Sequence, residues 1–235
     1  LRLMALSALI VALARPQEEH TATETTVEGV DIVLAMDISG SMLAQDFQPN
    51  RIEASKSIAS EFVADRQGDR LSIVAFAGES FTQCPLTSDR GAVQTALSRL
   101  KSGIIDDGTA IGNGLATAIN RLRESSSKSK IVVLLTDGVN NSGEISPRMA
   151  AEIARDLNIK VYTIGVGRRG MAPTPVMDPF GNVGLAMVQV EIDEESLREI
   201  SKITGGRYFR AENAEALTNI YAEIDQMEKS KVEVT

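Results

Sequence analysis

The strongest constraint on the fold is a series of near-continuous apolar runs, each about as long as one β-strand. The first, VDIVLAM, occupies residues 30–36 and is followed by Asp37. Similar runs occupy residues 71–77, 131–135 and 161–166, and a shorter one lies at 207–210. A short run without polar alternation is typical of a strand buried on both faces, as in a parallel sheet covered by helices.

Amphipathic patterns of helical period separate these runs. Asn50 followed by Glu53 predicts a helix that begins with a capping box. Pro147 predicts the first residue of another helix, where its missing N–H does no harm. Asp193 predicts a cap for a helix that reaches Thr204 and ends at the glycines 205–206. Further helical patterns lie at residues 92–100, 111–122 and 213–228.

Alternating strands and helices predict an α/β fold with a doubly wound, mostly parallel sheet. Residues 80–86 can form a short edge strand, where Pro85 is tolerated. Residues 171–192 break the alternation and predict an inserted hairpin or a mobile loop. At about 150 residues per domain, 235 residues predict one main domain.

Composition excludes several classes of function. The formal net charge is −8, which gives no favourable counterion release on DNA or RNA, so nucleic acid is not expected as a partner. A single cysteine, Cys84, cannot form an internal disulfide. A single histidine, His20, excludes a zinc site with several histidines and argues against a Ser-His-Asp triad.

The two ends of the chain differ from its body. Residues 1–16 contain an apolar stretch, and we expect the end of a truncated transmembrane helix there; a signal-peptide core or a buried helix are the alternatives. Residues 17–27 are polar and predict a tether, residues 28–228 form the predicted domain, and residues 229–235 predict a linker.

Oxygen-bearing side chains follow two of the predicted strands and precede a helix. Asp37, Ser39 and Ser41 follow the first strand, Asp137 follows the run at 131–135, and Thr109 precedes a helix. Sites in open α/β sheets form in the crevice outside the carboxyl ends of the strands. Carboxylates and hydroxyls without sulfur or imidazole favour a hard cation, so we expect Mg²⁺, with Mn²⁺ or Ca²⁺ as alternatives. Asp106 and Asp107 predict a solvated turn rather than ligands.

This pattern of Asp37-x-Ser39-x-Ser41, Thr109 and Asp137 resembles the metal-ion-dependent adhesion site of von Willebrand factor type A (vWA) domains. The resemblance implies a mostly parallel six-stranded sheet with one antiparallel edge strand and helices on both faces. It also implies that the three hydroxyls bind the ion, and that the two aspartates hold its waters or bind it directly. An Asp or Glu of a protein partner would complete the metal shell.

The flanking motifs resemble the bacterial, membrane-anchored Bat-type (aerotolerance-type) branch of that family. The motifs that carry this likeness are ARPQ at 14–17, DFQPNR at 46–51, GVG at 165–167, the insert at 171–192 and GGRYF at 205–209. The likeness implies membrane helices before and after the domain, and a domain that faces the periplasm from the bacterial inner membrane. It also implies work alongside a MoxR-type AAA+ ATPase and sister vWA proteins.

The sequence therefore predicts a non-enzymatic binding module, with Met42, Arg168 and Arg169 at the rim that contacts the partner. One alternative is a metal-dependent phosphohydrolase with Asp37 as nucleophile, although Ser39 stands where common phosphatases have a second Asp. The other alternative is a scaffold in a membrane complex whose metal only stabilises its loops.

Overall fold

The computed structural model describes residues 29–177 and 182–232, and its main feature is a six-stranded mixed sheet. Its strands are β1 Asp31–Asp37, β2 Arg70–Phe76, β3 Ser80–Thr87, β4 Lys130–Thr136, β5 Lys160–Val166 and β8 Tyr208–Ala211; a separate antiparallel pair consists of β6 Gly170–Met177 and β7 Val183–Val190. In the sheet the strands lie in the order β3-β2-β1-β4-β5-β8; β3 runs antiparallel to β2, and every other pair is parallel. This confirms the predicted fold class.

In the part of the chain that the structure describes, six α-helices cover the two faces of the sheet. Alternate residues of β1 point to opposite faces: Ile32 and Leu34 join one buried cluster, and Val33 and Ala35 join the other. Helices α1, α2 and α6 pack on the first cluster, and α3, α4 and α5 on the second. The helices are α1 Arg51–Ala64, α2 Arg90–Ser98, α3 Ile111–Leu122, α4 Pro147–Asp156, α5 Glu194–Thr204 and α6 Ala214–Val232.

Local signals set the helix ends. The side chain of Asn50 accepts a hydrogen bond from Glu53 N at 2.9 Å, so the predicted cap of α1 is present. Both carboxylate oxygens of Glu53 instead contact Lys56 Nζ, at 2.9 and 3.0 Å, which replaces the return half of the capping box. Pro147 begins α4 as predicted, and Gly205 ends α5 in the left-handed conformation.

The strand order creates a crevice between β1 and β4. From β1 the chain proceeds to β2 and β3 on one side, and it later returns to β4, β5 and β8 on the other side. Such a switch of direction leaves an opening at the carboxyl ends of the two central strands. Asp37 is the last residue of β1, and Asp137 directly follows β4, so both flank this opening.

Both ends of the described domain lie at the opposite pole. Gly29 O accepts from Ser127 Oγ at 2.8 Å, close to the start of β4. Glu228 of α6 accepts from Ser129 Oγ at 2.9 Å and from Lys160 Nζ at 3.0 Å, at the starts of β4 and β5. Helix α6 continues to Val232, four residues into the segment predicted as a linker.

The predicted membrane segment and tether, residues 1–16 and 17–27, lie outside the described residues. Within 29–177 and 182–232, no helix combines the length and apolar character that crossing a bilayer requires.

Candidate metal centre

Asp37 lies at the base of the crevice and is completely buried. Its Oδ1 accepts from the backbone N–H of Ser39 at 2.9 Å, which tightens the turn after β1. Its Oδ2 accepts from Thr136 Oγ1 at 2.6 Å, at the end of the neighbouring strand β4. These two bonds orient the Asp37 carboxylate from both central strands.

The two serine hydroxyls lie side by side, and one of them contacts the second carboxylate. Ser39 Oγ and Ser41 Oγ lie 3.0 Å apart, and Ser41 Oγ donates to Asp137 Oδ1 at 2.6 Å. Ser41 is part of a short 3-10 turn, Gly40–Leu43, which directs its side chain into the opening. The structure therefore brings together Asp37, Ser39, Ser41 and Asp137, although they are up to 100 residues apart in sequence.

Thr109 reaches the same opening from the loop before α3. It is buried, and its N–H donates to Asn141 Oδ1 at 2.8 Å, while Asn141 N donates to Thr109 O at 3.0 Å. Gly138 permits this approach, since a Cβ there would lie 3.0 Å from Thr109 Oγ1. Thr109, Ser41 and Asp137 line one cleft of about 290 Å³.

Burial and mutual repulsion disfavour the ionised aspartates. Loss of solvent, followed by repulsion from Asp137, raises the pKa of Asp37 to about 7. Loss of solvent also raises the pKa of Asp137, against the opposing effect of Arg51. Two buried carboxylates that repel each other form a site that a cation would stabilise.

The donor set fits a small hard cation. Two ligands about 2.1 Å from an octahedral Mg²⁺ lie about 3 Å apart. The 3.0 Å between the hydroxyls of Ser39 and Ser41 matches that spacing. All of the donors are oxygen, and only two of them are carboxylates. Among the described residues, no three His, Cys, Asp or Glu side chains cluster as a metal site would require, so the hydroxyls are essential to this one. The role of these residues as ligands stays a prediction.

A buried ion-pair cluster adjoins the site, and sequence reasoning missed its role. Arg51 Nη1 donates to Asp137 Oδ2 at 2.5 Å, and Arg51 Nε and Nη2 donate to the two oxygens of Asp46 at 2.8 and 2.7 Å. Asp46 and Arg51 belong to the run at 46–51, which the sequence analysis used only for the family resemblance. An arginine in the first turn of an amphipathic helix gives no local sign that its partner is 86 residues away.

Asp107 also has a role that the sequence did not show. Its Oδ1 accepts from the backbone N–H of Gly40 at 2.8 Å. The predicted solvated turn at 106–107 therefore holds the loop between Ser39 and Ser41 in place. A side chain at Gly40 would approach Asp107 Oδ2 to 3.0 Å, which favours glycine here.

The prediction that Met42 lies at the rim is wrong. Met42 is completely buried in the core cluster beneath the 3-10 turn, because its side chain points inward where that of Ser41 points outward. Arg168 and Arg169 are exposed at the start of the hairpin, and Arg169 Nε lies 3.5 Å from Glu212 Oε1. Neither arginine lines the cleft beside the predicted ligands.

The β6–β7 pair forms one wall of that cleft. Thr174 and residues 188–191 line the cleft together with Val139 and Asn141. Pro173 O of β6 accepts from Gln45 N at 2.8 Å, so the loop after the 3-10 turn supports the hairpin. On the outward side, Val183, Leu185 and Met187 are 68%, 61% and 58% exposed. Residues 171–192 thus contain an ordered pair of strands that carries apolar side chains beside the site.

A family model for the von Willebrand factor type A domain matches residues 31–223. An uncharacterized protein of Borreliella burgdorferi is 32% identical over 207 residues, which cover 88% of this chain and 61% of that protein. A UPF0353 protein of Nocardia farcinica is 33% identical over an alignment of 243 residues, gaps included; the alignment covers 96% of this chain and 70% of that protein. The chain thus spans about two thirds of the length of these relatives.

Solved structures show the same fold. BatB of Bacteroides thetaiotaomicron is 34% identical, with 86% of this chain and 100% of that chain covered and a TM-score of 0.74. An aerotolerance-related membrane protein of Bacteroides fragilis is 33% identical, with 83% and 98% covered and a TM-score of 0.71. Proximal thread matrix protein 1 of the mussel byssus, with a zinc-occupied adhesion-site motif, is 24% identical and has a TM-score of 0.65. The match covers 85% of this chain and 46% of that chain, and this likeness concerns the fold alone.

Proposed function

Because the chain belongs to the von Willebrand factor type A domain family, we propose that it is a membrane-anchored binding module that captures a protein partner through a divalent cation. The observation that carries this proposal is the convergence of two buried aspartates and neighbouring hydroxyls at an open cleft. Asp37, Ser39, Ser41, Thr109 and Asp137 would hold the cation, which is Mg²⁺ in this proposal.

The partner supplies a carboxylate to the cation. Three of the five ligands are neutral hydroxyls, so a bound Mg²⁺ keeps attraction for one more anionic oxygen from outside. Beyond that contact, the cleft offers Val139 and Val188 as an apolar wall. Arg168 and Arg169 extend the surface at the root of the hairpin and would attract an acidic partner.

Binding accounts for the geometry better than catalysis does. A nucleophilic Asp37 would have to contact a phosphorus atom directly, yet Asp37 is completely buried and does not line the cleft, although it can still act on a cation through a bound water. The phosphohydrolase alternative therefore has no observation in its favour.

The positions of the two ends of the described domain support a membrane anchor on the side opposite the cleft. Gly29 and the Glu228 end of α6 lie at the pole opposite the cleft. A membrane attached through either end would leave the cleft facing away from the bilayer. Relatives described as membrane proteins support this arrangement. In this proposal the anchor lies in the bacterial inner membrane and the domain faces the periplasm. The proposed partners are a MoxR-type AAA+ ATPase and sister vWA proteins.

Calorimetric titration of Mg²⁺ and Mn²⁺ tests the cation site. We expect the wild-type chain to bind both ions and the double variant Ser39→Ala, Ser41→Ala to bind neither, because it lacks two neutral ligands. Ser57→Ala, on the exposed side of α1, is the matched control and should bind normally. Equal binding by the double variant would refute the assigned ligands.

Binding of a purified MoxR-type ATPase or sister vWA protein tests the partner. We expect binding in Mg²⁺ that is lost both in EDTA and in the Ser39→Ala, Ser41→Ala variant. Binding that survives both changes would favour the scaffold alternative, in which the cation only stabilises loops.

A further inference from the structure

Arg51 occupies one oxygen of a predicted cation ligand. Its Nη1 donates to Asp137 Oδ2 at 2.5 Å, and the other oxygen, Oδ1, receives the Ser41 hydroxyl at 2.6 Å. The two oxygens of Asp137 therefore face different neighbours. Only Oδ1 lies on the side of the hydroxyl cluster.

The guanidinium is held rigidly in this position. Asp46 binds it through two parallel hydrogen bonds of 2.8 and 2.7 Å, and the side chains of both residues are at most 3% exposed. Asp46 Oδ2 also accepts from Arg168 N at 2.8 Å, at the root of the hairpin. Gly167 leaves room for the guanidinium, since a Cβ there would lie 2.7 Å from Arg51 Nη2.

The number of oxygens that a carboxylate offers affects which cation it prefers. Ca²⁺ accepts six to eight oxygen ligands in flexible geometry and often takes both oxygens of one carboxylate. Mg²⁺ requires near-octahedral geometry at shorter distances and usually takes one oxygen from each carboxylate. A carboxylate with one oxygen already engaged by arginine therefore disfavours Ca²⁺.

We propose that Arg51 determines the cation specificity of this site: by holding Asp137 Oδ2, it restricts Asp137 to one oxygen and selects Mg²⁺ over Ca²⁺. Asp46 is the positioning residue that fixes Arg51. This inference rests on the proposed cation site and extends it from which residues bind to which ion they prefer.

The test compares the dissociation constants of Ca²⁺ and Mg²⁺, measured by calorimetry on the 235-residue chain. Asp46→Asn is the matched control, because it retains one side-chain oxygen that can accept from Arg51 and differs from the double variant only at residue 51. The double variant Asp46→Asn, Arg51→Gln removes the arginine without leaving Asp46 as an unpaired buried charge. The ratio of the Ca²⁺ to the Mg²⁺ constant should fall about tenfold or more in the double variant relative to the control.

The ratio of the two dissociation constants distinguishes a change in cation specificity from a general effect of charge on the binding of both ions. Loss of one positive charge strengthens the binding of both ions and cancels in the ratio, whereas a freed Asp137 oxygen favours Ca²⁺ alone. A ratio that stays within about twofold of the control, with both ions still bound, would overturn this inference but not the cation site. Wild-type protein that binds neither ion would overturn the proposed function itself.

Arg51→Lys provides a second variant if the double variant does not fold, as judged by circular dichroism. Lysine keeps the positive charge but lacks the planar fork that reaches both Asp46 and Asp137. The ratio should again move toward Ca²⁺. An unchanged ratio in a folded Arg51→Lys chain would contradict the proposal.

Discussion

At the scale of single residues, the site consists of groups that cost stability when no cation is bound. Asp37 is completely buried beside Asp137, and its raised pKa shows that the fold favours its protonated form. Since the pKa of Asp37 in the folded protein exceeds its ordinary value, protonated Asp37 contributes to the stability of the fold at low pH. This contribution is lost as the pH rises through about 7. Ionised Asp37 therefore destabilises the cation-free protein at pH 8.

Asp37→Asn should for this reason stabilise the cation-free protein. In EDTA at pH 8 we expect an increase of about 1–3 kcal/mol in the free energy of unfolding, measured by urea denaturation, because the variant removes a buried charge. In Mg²⁺ the order should reverse, since only the wild type gains stability from the bound ion. A variant that is less stable than wild type in EDTA would show that Asp37 serves the fold rather than the cation.

The same residue predicts how cation binding depends on pH. A cation binds the ionised carboxylate, so protons compete with it below a pKa of about 7. Mg²⁺ affinity should therefore fall as the pH is lowered from 8 to 6, in calorimetric titrations at constant ionic strength. An affinity that stays constant across this range would contradict the raised pKa.

At the scale of elements, a buried carboxylate fixes the last helix to the sheet. Glu228 of α6 accepts hydrogen bonds from Tyr162 Oη at 2.5 Å, from Lys160 Nζ at 3.0 Å and from Ser129 Oγ at 2.9 Å. Burial acts to raise its pKa, but these bonds outweigh burial and lower the pKa below its usual value. The end of α6 is thus attached to the starts of β4 and β5.

Glu228→Gln should loosen that attachment. We expect a loss of about 1.5–3 kcal/mol at pH 7 in urea denaturation, because a buried acceptor with a charged partner becomes neutral. The stabilisation by Glu228 is present above its unfolded pKa and is lost as the pH falls, so the difference between the two proteins should shrink toward pH 3. Glu223→Gln, on the same helix with a partly exposed contact to Arg207, is the control and should change stability little.

The β6–β7 hairpin has apolar side chains that the fold itself does not need. Leu185→Ser and Met187→Ser should change the free energy of unfolding by less than about 0.5 kcal/mol, since both side chains are mostly exposed. They should weaken binding of the partner while Mg²⁺ affinity stays unchanged. Ile153→Ser on α4, also exposed, is the control that should keep partner binding. Unchanged partner binding in both hairpin variants would exclude the hairpin from the interface.

At the scale of the whole molecule, the cleft and the ends of the described domain lie at opposite poles. Every hydrogen bond described in the site joins residues between Asp37 and Pro173. A chain cut to residues 29–232 should therefore fold and bind Mg²⁺ with an affinity within about twofold of that of the 235-residue chain, as calorimetry would show. A much weaker affinity would mean that residues outside this range contribute to the site.

Local features were predictable wherever a few neighbouring residues decide the outcome. Asn50 caps α1, Pro147 begins α4 and Gly205 ends α5, because capping depends on groups within one helical turn. Met42 was placed wrongly for the converse reason. Whether an apolar side chain beside a loop faces solvent or the core depends on what packs beneath it, which here is the central sheet.

The sequence by itself determined the order of strands and helices, the α/β class and the candidate oxygen ligands at the strand ends, because apolar periodicity, caps and strand-end residues are local properties of the chain. Only the tertiary structure decided that Arg51 contacts Asp137, that Asp107 holds Gly40, and that residues 188–191 line the cleft. These contacts join residues 67 to 86 positions apart or separate elements of the fold. Their physical cause is the packing of the sheet, which brings distant strand ends and loops to one edge.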